Sequence, residues 1–221
     1  MFLGHYAVAM AAKRAAPATS LGTLFLASVF IDLLWPALLL AGVERARVDA
    51  SIPGLAPLAF EHYPVSHSLL MVVVWALLLG GAWFAVAHQR RGAIVVATLA
   101  VSHWLLDALV HRPDLPLAPA GEARIGLGLW NVPWGSVLVE LALFACGLAL
   151  YLRSTVGQRR WPLWMLCAVL LLIFAGDLLG PPPPSITAVA WVGLAQWLLV
   201  AAGWWVDRPV LGGRPAVAAT L

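Results

Sequence analysis

Charge is scarce in this chain. Asp, Glu, Lys and Arg supply 10% of the 221 residues, while 62% are hydrophobic, and the mean hydropathy is +0.92. A water-soluble domain carries about 25% charged residues, so a composition this poor in charge excludes an ordinary soluble fold and calls for lipid around the protein. Cysteine is almost missing as well. Cys146 and Cys167 both fall inside apolar stretches, which excludes a disulfide framework and a CxxC metal site. No basic run is longer than two neighbours, so the net charge of +3 forms no nucleic-acid-binding patch. Lysine and arginine are also missing from the interior of every long apolar run.

What the sequence has is a succession of such runs, at 20–43, 67–88, 92–111, 126–152, 161–179 and 187–206. Each is near or above the roughly 20 residues that cross a bilayer as a helix. Prolines, glycines and charges collect between them, notably in 44–66 and 112–125, and Pro181 to Pro184 form a stiff spacer before the last run. Residues 1–12 are apolar but are followed by Lys13 and Arg14, the reverse of a secretory signal. The pattern predicts an all-α integral membrane protein, a single domain over 1–221 with six transmembrane helices and a short N-terminal re-entrant or interfacial helix. With the N-terminus inside, Lys13, Arg14, Arg90, Arg91, Arg153, Arg159, Arg160, Arg208 and Arg214 are cytoplasmic and Arg45, Arg47, Arg112 and Arg124 external. The positive-inside bias therefore predicts both termini in the cytoplasm, and Trp130, Trp134, Trp161, Trp204 and Trp205 near span ends read as interfacial anchors.

Against this apolar background stand Asp32, His67, His103, Asp107 and Glu140. An ionised group at membrane depth costs several kcal/mol (roughly 3 on insertion scales), so such residues are expected to be neutral, watered or bound to a cation. Glu140 and Asp177, each isolated, read as acids hydrogen-bonded between helices. His103, Asp107 and His111 recur at i, i+4 and i+8, which stacks two imidazoles and a carboxylate on one helix face. In His62-Tyr63-Pro64-Val65-Ser66-His67-Ser68, Pro64 and the candidate N-cap Ser66 place His67 in a first helical turn facing the bundle. With Asp32 near the middle of the first span, and with His5 brought in if the first helix re-enters, these groups share one depth. Imidazole and carboxylate without thiolate suit Zn²⁺, with Mn²⁺ or Fe²⁺ also matching, and the number of donors accommodates one or two ions. The expected ligands are Asp32, His67, His103 and Asp107, joined by His5 and His111.

The order of an early His5, a mid-span Asp32, the string His62-x-x-x-Ser66-His67-Ser68 and the helix His103-x-x-x-Asp107 resembles the YdjM-type membrane-bound metal-dependent hydrolases of bacteria, a family distantly allied with zinc-dependent phospholipase C and related zinc nucleases. The likeness covers about residues 1–152, leaving 153–221 as two additional transmembrane helices. It implies that His5, Asp32, His67, His103 and Asp107 hold metal with His62 and Ser68 close by, and that Asp107, His67 and Ser68 form the catalytic group. The chain departs from the family pattern at Leu33 and Val110, and His111 is a candidate replacement ligand.

The function so implied is metal-assisted hydrolysis of a lipid or lipid-linked phosphoester at the bacterial inner membrane, the ion acidifying a water and polarising the phosphoryl oxygen. Arg112 and Arg124 in the outer loop are candidate phosphate ligands. The alternatives are a proton or metal-ion transporter using the same His/Asp ladder and a noncatalytic scaffold with a structural metal site. No inverted repeat is detectable and no span carries a central Gly/Pro break, as transporter helices do.

Overall fold

The computed structural model describes residues 1–156 and 159–207. The helices in chain order are α1 (Leu3–Ala12), α2 (Leu21–Leu40), the single turn α3 (Pro64–His67), α4 (Leu69–Ala87), α5 (Arg90–Val110), α6 (Pro133–Ser154), α7 (Trp161–Leu179) and α8 (Ile186–Val206). Among the described residues, α2, α4, α5, α6, α7 and α8 are each long and apolar enough to cross a membrane. The protein is thus an all-α membrane protein of six spans and a short apolar N-terminal helix, as its runs predict. Arg208 and Arg214, counted toward the inner side, lie outside the described residues.

Local chemistry sets the helix ends. Ser20, Ser68 and Ser185 each accept a backbone N–H three residues on, at the starts of α2, α4 and α8. Pro133 opens α6 and Pro162 sits in the first turn of α7, where a missing N–H costs nothing. His88, left-handed at φ 54°, stops α4, so that 88–89 alone join α4 to an antiparallel α5. Pro36 lies inside α2, which nevertheless runs on to Leu40.

Several boundaries differ from those read off the apolar runs. The run 67–88 is broken at Ser68, which is extended (ψ 139°) and caps α4; Ser66, expected as the cap, lies within α3. The helix expected from 126 begins at Pro133, because Gly126 and Gly128 adopt positive φ and residues 129–131 form a 3₁₀ turn. Two loops fold into small antiparallel hairpins, β1 (Arg45–Val48) with β2 (Leu58–His62) and β3 (Leu115–Pro116) with β4 (Arg124–Ile125).

Close backbone approach organises the bundle. α1 is enclosed by α2, α5 and α6, and Leu3, His5, Tyr6, Ala9 and Met10 are buried, so this helix lies within the bundle rather than along its surface. It reaches α6 at Gly147, where any Cβ would run into the Ala7 carbonyl. α2 crosses α8 where a Cβ on Gly203 would sit 2.9 Å from the Gly22 Cα. Small residues at such crossings let dispersion hold helices together in lipid, where no hydrophobic driving force is available. At the end remote from the hairpins, Lys13 is buried rather than solvated: its ammonium pairs with Asp207 and donates to the Thr19 carbonyl at 2.8 Å. Asp207 also accepts from the Leu21 N–H and the Tyr151 hydroxyl, both at 2.7 Å, which ties α1, α2, α6 and α8 at one point.

Candidate metal centre

The enclosure of α1 is what brings His5 to α5. Its N-cap residue, Phe2, supplies no side-chain cap. The carboxylate of Glu140 on α6 takes that role, accepting from Phe2 N (3.1 Å to each oxygen) and Gly4 N (3.0 Å). Orphan N–H groups of a first helical turn are thereby satisfied away from water. His5, one residue on, then faces Asp107, with Nε2 3.1 Å from Oδ1.

On α5, the i, i+4 spacing places His103 beside Asp107 as predicted, with Nε2 2.9 Å from Oδ2. The His103 Nδ1 lies 2.7 Å from the Ser28 carbonyl on α2, which can only accept, so Nδ1 donates and, in the neutral ring, Nε2 carries the lone pair. That Nε2 is buried and, among the described residues, has no hydrogen-bond partner. Asp32 on α2 adds Oδ1 at 3.6 Å from His103 Nε2, and His67 adds Nε2 at 3.7 Å from the same oxygen and 3.9 Å from Asp107 Oδ2. The His5 and His103 rings stack with centroids 3.7 Å apart.

Two groups of mutually close donor atoms result: His5, His103 and Asp107, and Asp32, His67 and His103, in each of which the atoms lie within 4.8 Å of one another. His103 belongs to both, and Asp107 turns Oδ1 to His5 and Oδ2 to His103. The Met1 amine lies 2.8 Å from Asp107 Oδ1, on the His5 side. On the other side, where Asp32 and Asp107 Oδ2 meet His67 and His103, no lysine or arginine approaches among the described residues. Two carboxylates and two imidazoles form a donor set that suits a borderline divalent cation.

The remaining predicted residues lie elsewhere. α5 ends at Val110, so His111 turns off the shared face and joins neither group; its Nδ1 is 2.9 Å from Asp114 Oδ1 and its ring packs on Trp130 at 4.3 Å. Trp130, read as an interfacial anchor, packs against His111. Ser68 donates to the Pro64 carbonyl at 2.6 Å and caps α4, a structural engagement of the hydroxyl read as catalytic. His62, expected close by, is exposed at the end of β2. Arg112 bonds Asn131 Oδ1 and the Pro53 and Ala56 carbonyls, fastening loops, and Arg124 donates to the Asp114 carbonyl at 2.9 Å. Phe60, Tyr63 and Trp130 enclose the His111 side. Burial, and then neighbouring Asp114, push the Tyr63 phenol up, and it remains a donor to Asp114 Oδ1 at 3.2 Å.

Two buried acids near these groups carry no motif that marks them in the sequence. Glu140 stands out only as an acid inside a span. Glu44, 1% exposed at the exit of the first span, looks like an ordinary loop charge, yet it accepts from Val65 N and Ser66 N at 2.8 Å each and from Ser66 Oγ at 2.6 Å.

Six apolar helices, with a largely buried His/Asp cluster gathered from α1, α2, α3 and α5, define a multi-span membrane protein with a polar site in its interior. The family model described as YdjM inner membrane protein matches residues 1–180, and the chain belongs to that family. The match runs past residue 152, where the resemblance carried by the motifs ends, and takes in α7. No curated protein and no solved structure matches the chain.

Proposed function

We propose that the chain is a metal-dependent hydrolase of the inner membrane, acting on the phosphoester of a membrane lipid or lipid-linked substrate. Asp32, His67, His103 and Asp107 would hold a divalent cation, Zn²⁺ by the donor set and Mn²⁺ or Fe²⁺ by the same chemistry, with His5 completing a second position across Asp107. The observation that carries this reading is the buried His103 Nε2, which lies 2.9 Å from Asp107 Oδ2 without a hydrogen bond, a position where a cation held by both would satisfy the neutral imidazole and the carboxylate. When bound, such a cation supplies Lewis acidity at the phosphoryl oxygen and lowers the pKa of water.

The chain's own residues hold and shape the site. His103 is common to the two donor groups, the Ser28 carbonyl orients it, and Glu140 caps the helix that carries His5. The outer face of α5, at Leu105, Ala108 and Leu109, forms with Ile125 and Leu127 an apolar groove of about 700 Å³ bordered by Arg124. None of the candidate metal-binding residues lines this groove, which offers a seat for an apolar chain beside the bundle. With the termini cytoplasmic, as the charge bias predicts, the site faces the outer leaflet.

Elemental analysis of the purified protein is expected to find one to two transition-metal ions, lost in folded His103→Ala and Asp107→Ala variants. Metal-loaded protein incubated with a total lipid extract is expected to release product by mass spectrometry, and Asp107→Asn to release none. Undiminished metal in the folded double variant overturns the ligand set. A lack of Asp107-dependent product, together with Asp107-dependent metal or proton flux into liposomes, replaces hydrolysis with transport.

A further inference from the structure

We infer that Glu44, acting through Ser66, sets the tautomer of His67, so that Glu44 and Ser66 are positioning residues of the centre. This rests on the metal reading above for its purpose, and on hydrogen-bond geometry for its existence.

The chain of contacts is short and dry. Ser66 Oγ lies 2.6 Å from Glu44 Oε2 and 2.7 Å from His67 Nδ1, and the three residues are at most 3% exposed. A serine hydroxyl has one proton to give. Given to Glu44, it leaves Ser66 Oγ only able to accept at its other contact, so His67 Nδ1 must donate. The lone pair of His67 then resides on Nε2, the atom that faces Asp32 Oδ1 and Asp107 Oδ2. Without the relay, a neutral histidine favours a proton on Nε2, which would turn an N–H toward the cation position and remove His67 as a donor.

The surroundings fix the ring as well as the proton. Glu44 Oε1 accepts from Val65 N and Ser66 N, so one carboxylate both caps α3 and starts the relay. The Trp104 indole donates to the His67 carbonyl and the Trp75 indole to the Val65 carbonyl, each at 2.9 Å. His103 reaches the same tautomer through the Ser28 carbonyl. The two histidines that share Asp32 are therefore set alike, one by backbone and one by a carboxylate–serine pair, the arrangement expected of groups that orient metal-binding imidazoles.

Ser66→Ala cuts the relay and leaves both backbone caps of Glu44 intact; Ser66→Thr keeps it. In metal-free protein in lipid, ¹⁵N NMR of labelled histidine, with His67 assigned by the loss of its signals in His67→Gln, should show Nδ1–H in the wild type and Ser66→Thr and a shift toward Nε2–H in Ser66→Ala. Zn²⁺ affinity should fall about 10- to 100-fold in Ser66→Ala and in Glu44→Gln. The double variant should be little worse than Ser66→Ala, since residues acting in series do not add. An Nε2–H His67 in the wild type, a tautomer unchanged in Ser66→Ala, or fully additive losses of affinity would overturn the relay. A wild type with Nδ1–H set by Ser66 that binds no Zn²⁺ upholds the relay and sinks the metal reading.

Discussion

Replacing Glu140 by alanine should release α1 from the bundle. The carboxylate is 4% exposed and accepts two N–H groups, that of Phe2 shared between its oxygens and that of Gly4 at 3.0 Å. Alanine leaves both donors buried without an acceptor, at about 1–3 kcal/mol each. The docking of α1 should thus weaken by about 2–6 kcal/mol, or roughly 30- to 10⁴-fold in the undocking equilibrium at 1.4 kcal/mol per tenfold. Glu140→Gln keeps an acceptor oxygen and should lose only about 1 kcal/mol. Hydrogen exchange by mass spectrometry, in nanodiscs, reads this directly: the peptide covering 2–12 should lose protection in Glu140→Ala while peptides from α4 and α5 keep theirs. Equal protection of α1 in wild type and Glu140→Ala, in a folded bundle, refutes the argument that this acid anchors the helix.

Gly147→Leu should act on the same helix from its other contact, because the new side chain must displace the Ala7 backbone, whereas Gly81→Leu, with open space around its Cβ, should be nearly silent. Overpacking of this kind costs about 1–3 kcal/mol, and exchange of α1 amides checks it. Reporter fusions at Pro53 and Ala118 should read as external and a fusion after Leu221 as internal; a cytoplasmic signal from the Pro53 loop reverses the orientation.

The parts of this structure that depend on local composition are legible in the sequence. Long apolar runs mark the six spans, and the i, i+4 step from His103 to Asp107 survives because both residues lie inside one uninterrupted helix. His111 shows where such extrapolation stops: the eight-residue step assumes that the helix continues, and it ends one residue earlier. The re-entry of α1 is legible from its composition, but its anchor is not, since Glu140 acts on a backbone 136 positions away and backbone acceptance leaves no pairing signature. Glu44 is hidden for the same reason, its partners being two peptide nitrogens and a serine. The loop hairpins escape because their strands are two to five residues long, too short for an alternating pattern to stand out.

The anchoring of α1 by α6 also imposes an order on biosynthesis. Phe2 leaves the ribosome 138 residues before Glu140. At ~5–20 residues per second, roughly 7–30 s pass before the acceptor for its amide exists. Late in that interval, once α5 is complete at Val110, the nascent chain can pair α2 with α5 but still lacks the acid that anchors the helix of His5. The side of the site that His5 closes is therefore completed after the other, and a chain stalled before α6 would present an open half-site to the membrane.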